Sequence, residues 1–290
     1  MSIEFTEAAA ISGYIRQIGW HGLLAALFIA PMLTGCAAAF PQVIDSKPMR
    51  FEAKPATVFV ADGAGGFQFT SKTLHNVLER DGYPIDVVTF QWSHGNNRIY
   101  ADQTDYAYAR MQGRRLAEIV LAHRVANPNR PTFLAGHSAG SLVVLTAVET
   151  LPPGTIEDLI LLSPSLSYKY DLREALRRVA HGVHVHYSPH DYIYLGLATR
   201  LIGTSDRLRT KSAGRVGFGD RFFAADPESQ HKLRQHPWTP KDRALGHNGG
   251  HFGTYAPNYL REYIFPLFDP ARVRRIRNEA ATVESEPRAK

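Results

Sequence analysis

Short apolar runs alternate with longer mixed segments along most of this chain. Five runs have the length and composition of buried β-strands: residues 57–61, 85–92, 131–135, 156–163 and 183–187. Helices are predicted at residues 70–81, 102–123, 139–150, 171–180 and 259–268. Strands that alternate with helices predict an α/β fold with a mostly parallel, doubly wound sheet flanked by helices.

Two segments depart from this alternation. Residues 195–240 are rich in arginine and glycine and are longer than one helix and one strand require, so we predict an insertion there. It is either a cover over a binding pocket or a solvated excursion. Residues 269–290 are predicted to be a basic C-terminal tail, which leaves residues 55–268 for the α/β domain.

The N-terminus contains an uncharged apolar run at residues 22–33, which is short for a membrane span of about 20 residues. It ends in Leu33-Thr34-Gly35-Cys36, which resembles a bacterial lipobox, and Cys36 is the only cysteine. We therefore predict a signal peptide at residues 1–35 and a tether at 36–54, lipidated on Cys36. Ala37 after the cysteine implies, by resemblance to Gram-negative lipoproteins, the outer membrane facing the periplasm. The alternative is a cytoplasmic protein with an apolar N-terminal helix.

The net charge of +6 favours contact with anionic surfaces. Basic residues interleaved with aromatic ones, which a nucleic-acid site would require, do not occur. We therefore expect a solvated basic face and no nucleic-acid partner. The sequence leaves the oligomeric state open.

The pentapeptide Gly136-His137-Ser138-Ala139-Gly140 lies between a predicted strand and a predicted helix. A Gly-x-Ser-x-Gly sequence in this setting forms a strained turn that exposes the serine hydroxyl. Ser138 is therefore the predicted nucleophile. The Ala139 amide, at the positive end of the following helix, is predicted to stabilise an oxyanion.

This motif resembles the α/β-hydrolase fold of serine esterases and lipases over about residues 55–268. The resemblance implies a Ser–acid–His triad in that order along the chain, and no cofactor. It also implies a second oxyanion donor in the glycine-rich loop at residues 62–66. We favour the Ala64 amide there, with Gly65 as the alternative, although Asp62 stands where many esterases have histidine.

The Ser–acid–His order along the chain also indicates which residues are the acid and the base. Asp191 comes directly after the strand predicted at 183–187, whereas Asp171 is expected to cap a helix. His251 lies in a glycine-rich loop just before the last predicted helix, and we favour it over His247 in the same loop. His251 would take the Ser138 proton while Asp191 orients its ring.

A metal site is the competing interpretation of the histidines before Asp191. His184 and His186 lie on one face of a predicted strand, as in some metallohydrolases. Ser188 and Pro189 occupy the positions where further ligands would be needed, so we predict no metal.

Together these residues predict a serine hydrolase that cleaves an ester or related acyl bond of a small-molecule or lipid substrate. A peptidase or thioesterase on the same scaffold is the alternative among enzymes. A non-catalytic binding protein of the bacterial envelope is the alternative from another class. The acyl chain and the leaving group do not follow from the sequence.

Overall fold

The computed structural model describes residues 56–219 and 231–285. The chain divides into two units, Met1–Ile44 and Asp45–Lys290, and every described residue belongs to the second. The predicted signal peptide, Cys36 and the predicted tether at 36–54 lie outside the described residues.

Six strands of the described segments form one sheet in the order β2-β1-β3-β4-β5-β6. Their bounds are β1 Ala56–Ala61, β2 Ile85–Thr89, β3 Thr132–His137, β4 Asp158–Leu162, β5 Gly182–Tyr187 and β6 Leu233–Pro237. All five pairings are parallel. The predicted α/β fold with a parallel, doubly wound sheet is confirmed.

The strands differ in burial, and this explains which of them the sequence revealed. Every residue of β1, β3 and β4 is buried, because helices cover both faces of the sheet. The edge strand β6 contains Leu233-Arg234-Gln235-His236-Pro237, and none of these residues is fully buried. It has no apolar run, so the sequence analysis placed it inside the insertion at 195–240.

The longer helices are α1 Phe69–Arg80, α2 Ile99–Thr104, α3 Tyr106–Ala126, α4 Gly140–Thr150, α5 Arg173–Arg178 and α6 Pro270–Ser285. Shorter helical turns are Ile193–Ala198, Thr199–Leu201, Ala213–Val216, Pro240–Leu245, Gly253–Tyr255, Pro257–Tyr259, Leu260–Ile264 and Phe265–Phe268. No helix in the described ranges is long and apolar enough to cross a membrane.

Two predicted helices are subdivided. The one predicted at 102–123 is interrupted at Asp105, whose carboxylate accepts a hydrogen bond from the Tyr108 amide and so caps α3. The one predicted at 259–268 is a series of short turns of different pitch, and the last of them, Phe265–Phe268, contains Pro266. A proline inside a helix removes a backbone donor, and this favours a change of pitch there.

The sheet separates two apolar layers. Phe59 of β1 faces a layer that includes residues of α3 and α4, whereas its neighbour Val58 faces a layer with α1 and Phe268. Side chains alternate between the two faces of a strand, so each strand contributes to both layers. The carboxyl edge of this buried sheet is the platform for the loops described below.

The residues predicted as a C-terminal tail begin with helix α6. Val273 is buried, and Arg272 donates a 2.7 Å hydrogen bond to the carboxylate of Asp158 at the start of β4. Burial alone would raise the pKa of Asp158, but His181, His184 and Arg272 around it hold the pKa well below its usual range. The beginning of the tail is therefore packed on the domain.

Three histidine side chains of the paired strands β5 and β6 pack against one another. We call them the histidine layer; they are His184 and His186 of β5 and His236 of β6. The His236 ring lies 4.5 Å from that of His186 and 5.6 Å from that of His184. The Nδ1 atom of His186 lies 2.9 Å from the hydroxyl of Tyr259. No group of three or more His, Cys, Asp or Glu within the described residues has a geometry that could hold a metal ion. The layer is packed as uncharged rings, because burial lowers the pKa of His236 to about 4 and that of His186 well below its usual value.

The buried histidines predict that acid destabilises the fold. Burial lowers the pKa of His236, and of His247, to about 4 from an ordinary value of 6.5. Between these pH values the unfolded chain binds more protons than the folded one. The free energy of unfolding should therefore be highest above pH 6.5 and fall as the pH drops from 6.5 towards 4, as measured by urea unfolding.

His236→Phe keeps a ring in the histidine layer and removes one titrating group, so its unfolding free energy should depend less steeply on pH. His75→Phe, on the exposed surface of α1, is the matched control and should keep the slope of the parent protein. A slope equally steep in His236→Phe and in the parent would contradict this account.

Candidate active site

Ser138 lies in a strained turn between β3 and α4. Its backbone φ is +52°, a conformation that residues with a side chain rarely adopt. A Cβ on Gly140 would collide with the Ala61 carbonyl oxygen, and one on Gly136 would lie 2.5 Å from a methyl group of Val144. The two glycines of the pentapeptide therefore allow α4 to pack closely against β1 and β3.

The structure brings together Ser138, His251 and Asp191. The Oγ atom of Ser138 lies 2.9 Å from Nε2 of His251, and Nδ1 of His251 lies 2.5 Å from Oδ2 of Asp191. One tautomer of His251 serves both contacts: it donates from Nδ1 to the carboxylate and accepts at Nε2 from the serine hydroxyl. His251 and Asp191 are 5% and 2% exposed, which shields both groups from bulk water.

Hydrogen bonds hold the loops that contain Asp191 and His251, and the first of them joins the two loops. The Ser188 hydroxyl donates a 2.6 Å hydrogen bond to the Gly249 carbonyl. The second carboxylate oxygen of Asp191 accepts a hydrogen bond from the Leu195 amide at 3.2 Å. The indole of Trp238 donates to the His247 carbonyl at 2.8 Å. These bonds position the acid and the imidazole relative to each other.

Aromatic rings surround the His251 imidazole. The Tyr194 ring is stacked on it with a centroid distance of 5.0 Å, and the His137 ring lies 4.9 Å away. His137 donates from Nε2 to the carbonyl oxygen of His251 at 3.2 Å. Burial lowers the pKa of His137 to about 3, so this ring remains neutral beside His251.

His247 and Asp171, the alternative base and acid, make contacts with other residues. His247 accepts a hydrogen bond from the Gly249 amide, and its ring packs against Gly253 and Tyr259. The carboxylate of Asp171 pairs with Arg173 at the exposed start of α5. Among the described residues, neither side chain is hydrogen-bonded to Ser138 or His251.

The glycine-rich loop after β1 lies beside the turn. A Cβ on Gly63 would lie 3.3 Å from the Ser138 Cβ. The amides of Ala64 and Ala139 donate no hydrogen bond to any residue in the described part of the chain, whereas the Gly65 amide donates to Asp102 at 2.7 Å. Ala64 and Ala139 therefore remain the predicted oxyanion donors, and Gly65, the alternative, is already engaged.

Asp62 turns away from the site. Its carboxylate accepts hydrogen bonds from the Thr70 and Ser71 amides at the start of α1, and its backbone carbonyl accepts one from Trp92. Burial raises the pKa of Asp62, although the Ser71 and Thr70 donors oppose that shift. Asp62, which stands where many esterases have histidine, thus has a structural role at the start of α1.

Asp102 is a site-related residue that the sequence analysis missed. One oxygen of its buried carboxylate accepts from the Gly65 amide and, at 2.6 Å, from the Ser93 hydroxyl. The other accepts from the His94 amide at 2.8 Å. The carboxylate therefore fastens the loop at 62–66 to the loop at 93–95. Gly65 lies 37 residues before Asp102 in the sequence, and so no local pattern reveals this role.

The family model of serine aminopeptidase, S33, matches residues 112–243, which include Ser138 and Asp191 and end before His251. None of the curated proteins compared is significantly similar in sequence. The esterase PE8 structure is 16% identical, with a TM-score of 0.44, over 75% of this chain and 97% of its own. The LpqC poly(3-hydroxybutyrate) depolymerase from Bordetella parapertussis is 14% identical, with a TM-score of 0.42, over 78% and 86%.

Three observations agree on the class of protein. The sheet is parallel and covered on both faces, a strained serine turn joins β3 to α4, and a hydrolase family model matches the sequence around that turn. The family match also supports hydrolase activity. This chain therefore has the α/β-hydrolase fold.

Proposed function

We propose that this protein is a serine hydrolase that cleaves an ester or related acyl bond through an acyl-enzyme intermediate. The observation that carries the proposal is the pair of hydrogen bonds from Ser138 to His251 and from His251 to Asp191. A hydroxyl, an imidazole and a buried carboxylate in this order have the geometry for nucleophilic attack with general-base assistance.

In the proposed first step, His251 takes the proton of Ser138 as the Oγ atom attacks the substrate carbonyl carbon. Asp191 stabilises the imidazolium that forms. His251 then gives the proton to the leaving alcohol as the carbon–oxygen bond breaks, which leaves an acyl group on Ser138. Water, deprotonated by His251, attacks the acyl carbon, and the returning proton restores the serine.

The negative charge that develops on the carbonyl oxygen requires donors that are already in place. The Ala139 amide, next to the first residue of α4, is aligned with the positive end of that helix. The Ala64 amide from the adjacent loop is the proposed second donor. Each such donor typically contributes about 10²–10³-fold to kcat.

A peptidase is the second candidate, because the matching family model describes a serine aminopeptidase. Both activities would use the same three side chains and differ in the leaving group. Turnover of aminoacyl p-nitroanilides by the full chain, lost in Ser138→Ala, would favour the peptidase. Turnover of p-nitrophenyl esters with no turnover of any aminoacyl p-nitroanilide would favour the esterase.

We also propose that the protein is anchored by acyl chains on Cys36 to the outer membrane and faces the periplasm. The proposal is supported by the sequence alone, through the apolar run at 22–33 and the motif that ends at Cys36. A lipid anchor would hold the α/β domain close to a bilayer without a membrane span.

Substitution of the three side chains should abolish ester hydrolysis. In assays with p-nitrophenyl esters, we expect Ser138→Ala and His251→Ala to lower kcat by about 10³-fold or more, and Asp191→Asn by about 10³–10⁴-fold. A fluorophosphonate should label the parent chain and leave Ser138→Ala unlabelled, because the label bonds to the activated serine oxygen.

Matched controls keep this test specific. Ser141→Ala, His231→Ala and Asp171→Asn make the same chemical changes outside the hydrogen-bonded set, and we expect near-parental turnover from each. Labelling of Ser138→Ala as strong as that of the parent would contradict the proposed nucleophile. Absence of both labelling and turnover in the parent would favour the non-catalytic binding protein.

Asp102→Asn tests the proposed oxyanion loop. It keeps the size of the side chain but replaces an acceptor oxygen by a donor that faces the Gly65 or His94 amide. Displacement of the Ala64 amide should lower kcat about 10-fold to 100-fold and leave KM nearly unchanged, because the oxyanion exists only near the transition state. A rise in KM with unchanged kcat would place Asp102 in substrate binding instead.

Acylation tests the anchor. Radiolabelled palmitate supplied to bacteria that express the full chain should be incorporated into the parent and into Ala37→Ser, and lost in Cys36→Ser. Equal incorporation into Cys36→Ser would rule out lipidation at this cysteine.

A further inference from the structure

The helical segment that follows Asp191 has one buried face and one face exposed to solvent. We call it the post-acid helix; it consists of the turns Ile193–Ala198 and Thr199–Leu201. Leu195 and Thr199 are buried, whereas Ile193, Leu197 and Leu201 are 55%, 59% and 49% exposed. The three exposed side chains are four residues apart in a segment that begins as a π-helical turn, and their common exposure makes them one apolar stripe.

The inner face of the post-acid helix contacts the candidate active site. The Leu195 amide donates to Asp191, and the Tyr194 ring is stacked on His251. The apolar stripe therefore lies on the outer side of the same helical turns that contact the acid and the imidazole. Its place next to the site distinguishes it from singly exposed aliphatic residues, which are common on protein surfaces.

Further exposed apolar side chains adjoin the two ends of the stripe. Tyr192, immediately before it, is 57% exposed, and Leu208 is 45% exposed. The chain folds back after the post-acid helix, where the Thr204 amide donates to the Leu208 carbonyl. Leu208 thus lies in a turn that begins three residues after the end of the post-acid helix, and the Gly203 amide ties this turn to the helix through the Thr199 carbonyl.

Cationic side chains accompany the stripe. Residues 192–219 contain five basic side chains, Arg200, Arg207, Arg209, Lys211 and Arg215, and one acidic one. The acidic residue, Asp206, accepts a hydrogen bond from the Ser167 amide. The Arg215 guanidinium lies 5.0 Å from the centre of the Tyr192 ring.

An aliphatic stripe in an arginine-rich segment matches the chemistry of a bilayer surface that contains anionic lipids. Aliphatic side chains partition into the boundary between headgroups and acyl chains, while arginines bind the phosphates above them. Each basic residue near such a surface adds favourable energy that salt weakens. A second copy of the chain fits less well, because it would place the same cationic side chains against each other.

We propose that the outer face of the post-acid helix, with Tyr192, Leu208 and the adjoining arginines, is a docking surface for a bilayer with anionic headgroups. The docked protein would have its candidate active site next to the lipid. This surface is independent of the proposed anchor at Cys36 and of the proposed ester hydrolysis.

A tryptophan placed on the stripe tests the contact directly. The full chain carries Cys36→Ser, to remove acyl attachment, and Leu197→Trp; it is mixed with vesicles of phosphatidylglycerol and phosphatidylcholine. Relative to the Cys36→Ser parent, we expect the added emission to shift to the blue and to be quenched by brominated acyl chains. Leu121→Trp, at a 43% exposed leucine on α3, is the matched control and should show neither change.

This design separates the stripe from the apolar run at residues 22–33, which both probe variants share. If that run alone held the chain on vesicles, the probes at 197 and 121 would behave alike, and the proposal would be overturned. A blue shift of the 197 probe without vesicles, growing with protein concentration, would identify a second copy as the occupant and also overturn it.

Charge substitutions test the headgroup preference. Arg200→Gln with Arg209→Gln, in the Leu197→Trp chain, should raise the lipid concentration for half-maximal quenching about 10-fold or more. Arg114→Gln with Arg115→Gln, on the exposed side of α3, is the control and should leave it unchanged. Equal quenching by pure phosphatidylcholine vesicles would overturn the anionic preference. Turnover of a soluble p-nitrophenyl ester and the unfolding midpoint report separately on activity and folding.

Discussion

The close packing of α4 against β1 and β3 is the constraint on which the candidate site depends. Gly136 and Gly140 allow it, because a side chain at either position would strike the neighbouring strand or helix. Ser138 lies between them with a φ of +52°, and the buried residues of α4 hold it there. The strain is thus maintained by core packing, and it presents the hydroxyl above the carboxyl edge of the sheet.

The remaining side chains reach that edge from loops that are tied together. Asp191 and His251 are distant in the chain, yet the Ser188–Gly249 hydrogen bond joins their loops. His137 adds a second support beside the imidazole, as a neutral ring that donates to the His251 carbonyl. Burial keeps several histidines of this region uncharged, so packing that orders the site also makes the fold sensitive to acid.

The post-acid helix connects the site with the molecular surface. Its inner residues contact Asp191 and His251, and its outer residues are aliphatic, in a segment rich in arginine. A segment that positions the acid therefore also determines the chemistry of the surface around the site. The hydrolase fold leaves such segments free to vary, because the sheet is complete without them.

The sequence by itself determined the features that depend on neighbouring residues: five of the six strands, the parallel α/β class and the serine turn. It ordered Ser138, Asp191 and His251 only with the help of a family resemblance. It favoured His251 over His247 only by position, because both lie in one glycine-rich loop and His251 adjoins the last predicted helix. Only the tertiary structure decided which imidazole reaches the serine, at 2.9 Å. It alone revealed β6, which is held by pairing with β5 and has no apolar run, and Asp102, whose carboxylate binds the Gly65 amide from a distant part of the chain. Local patterns record burial and turn geometry, whereas these contacts exist only once distant segments have packed.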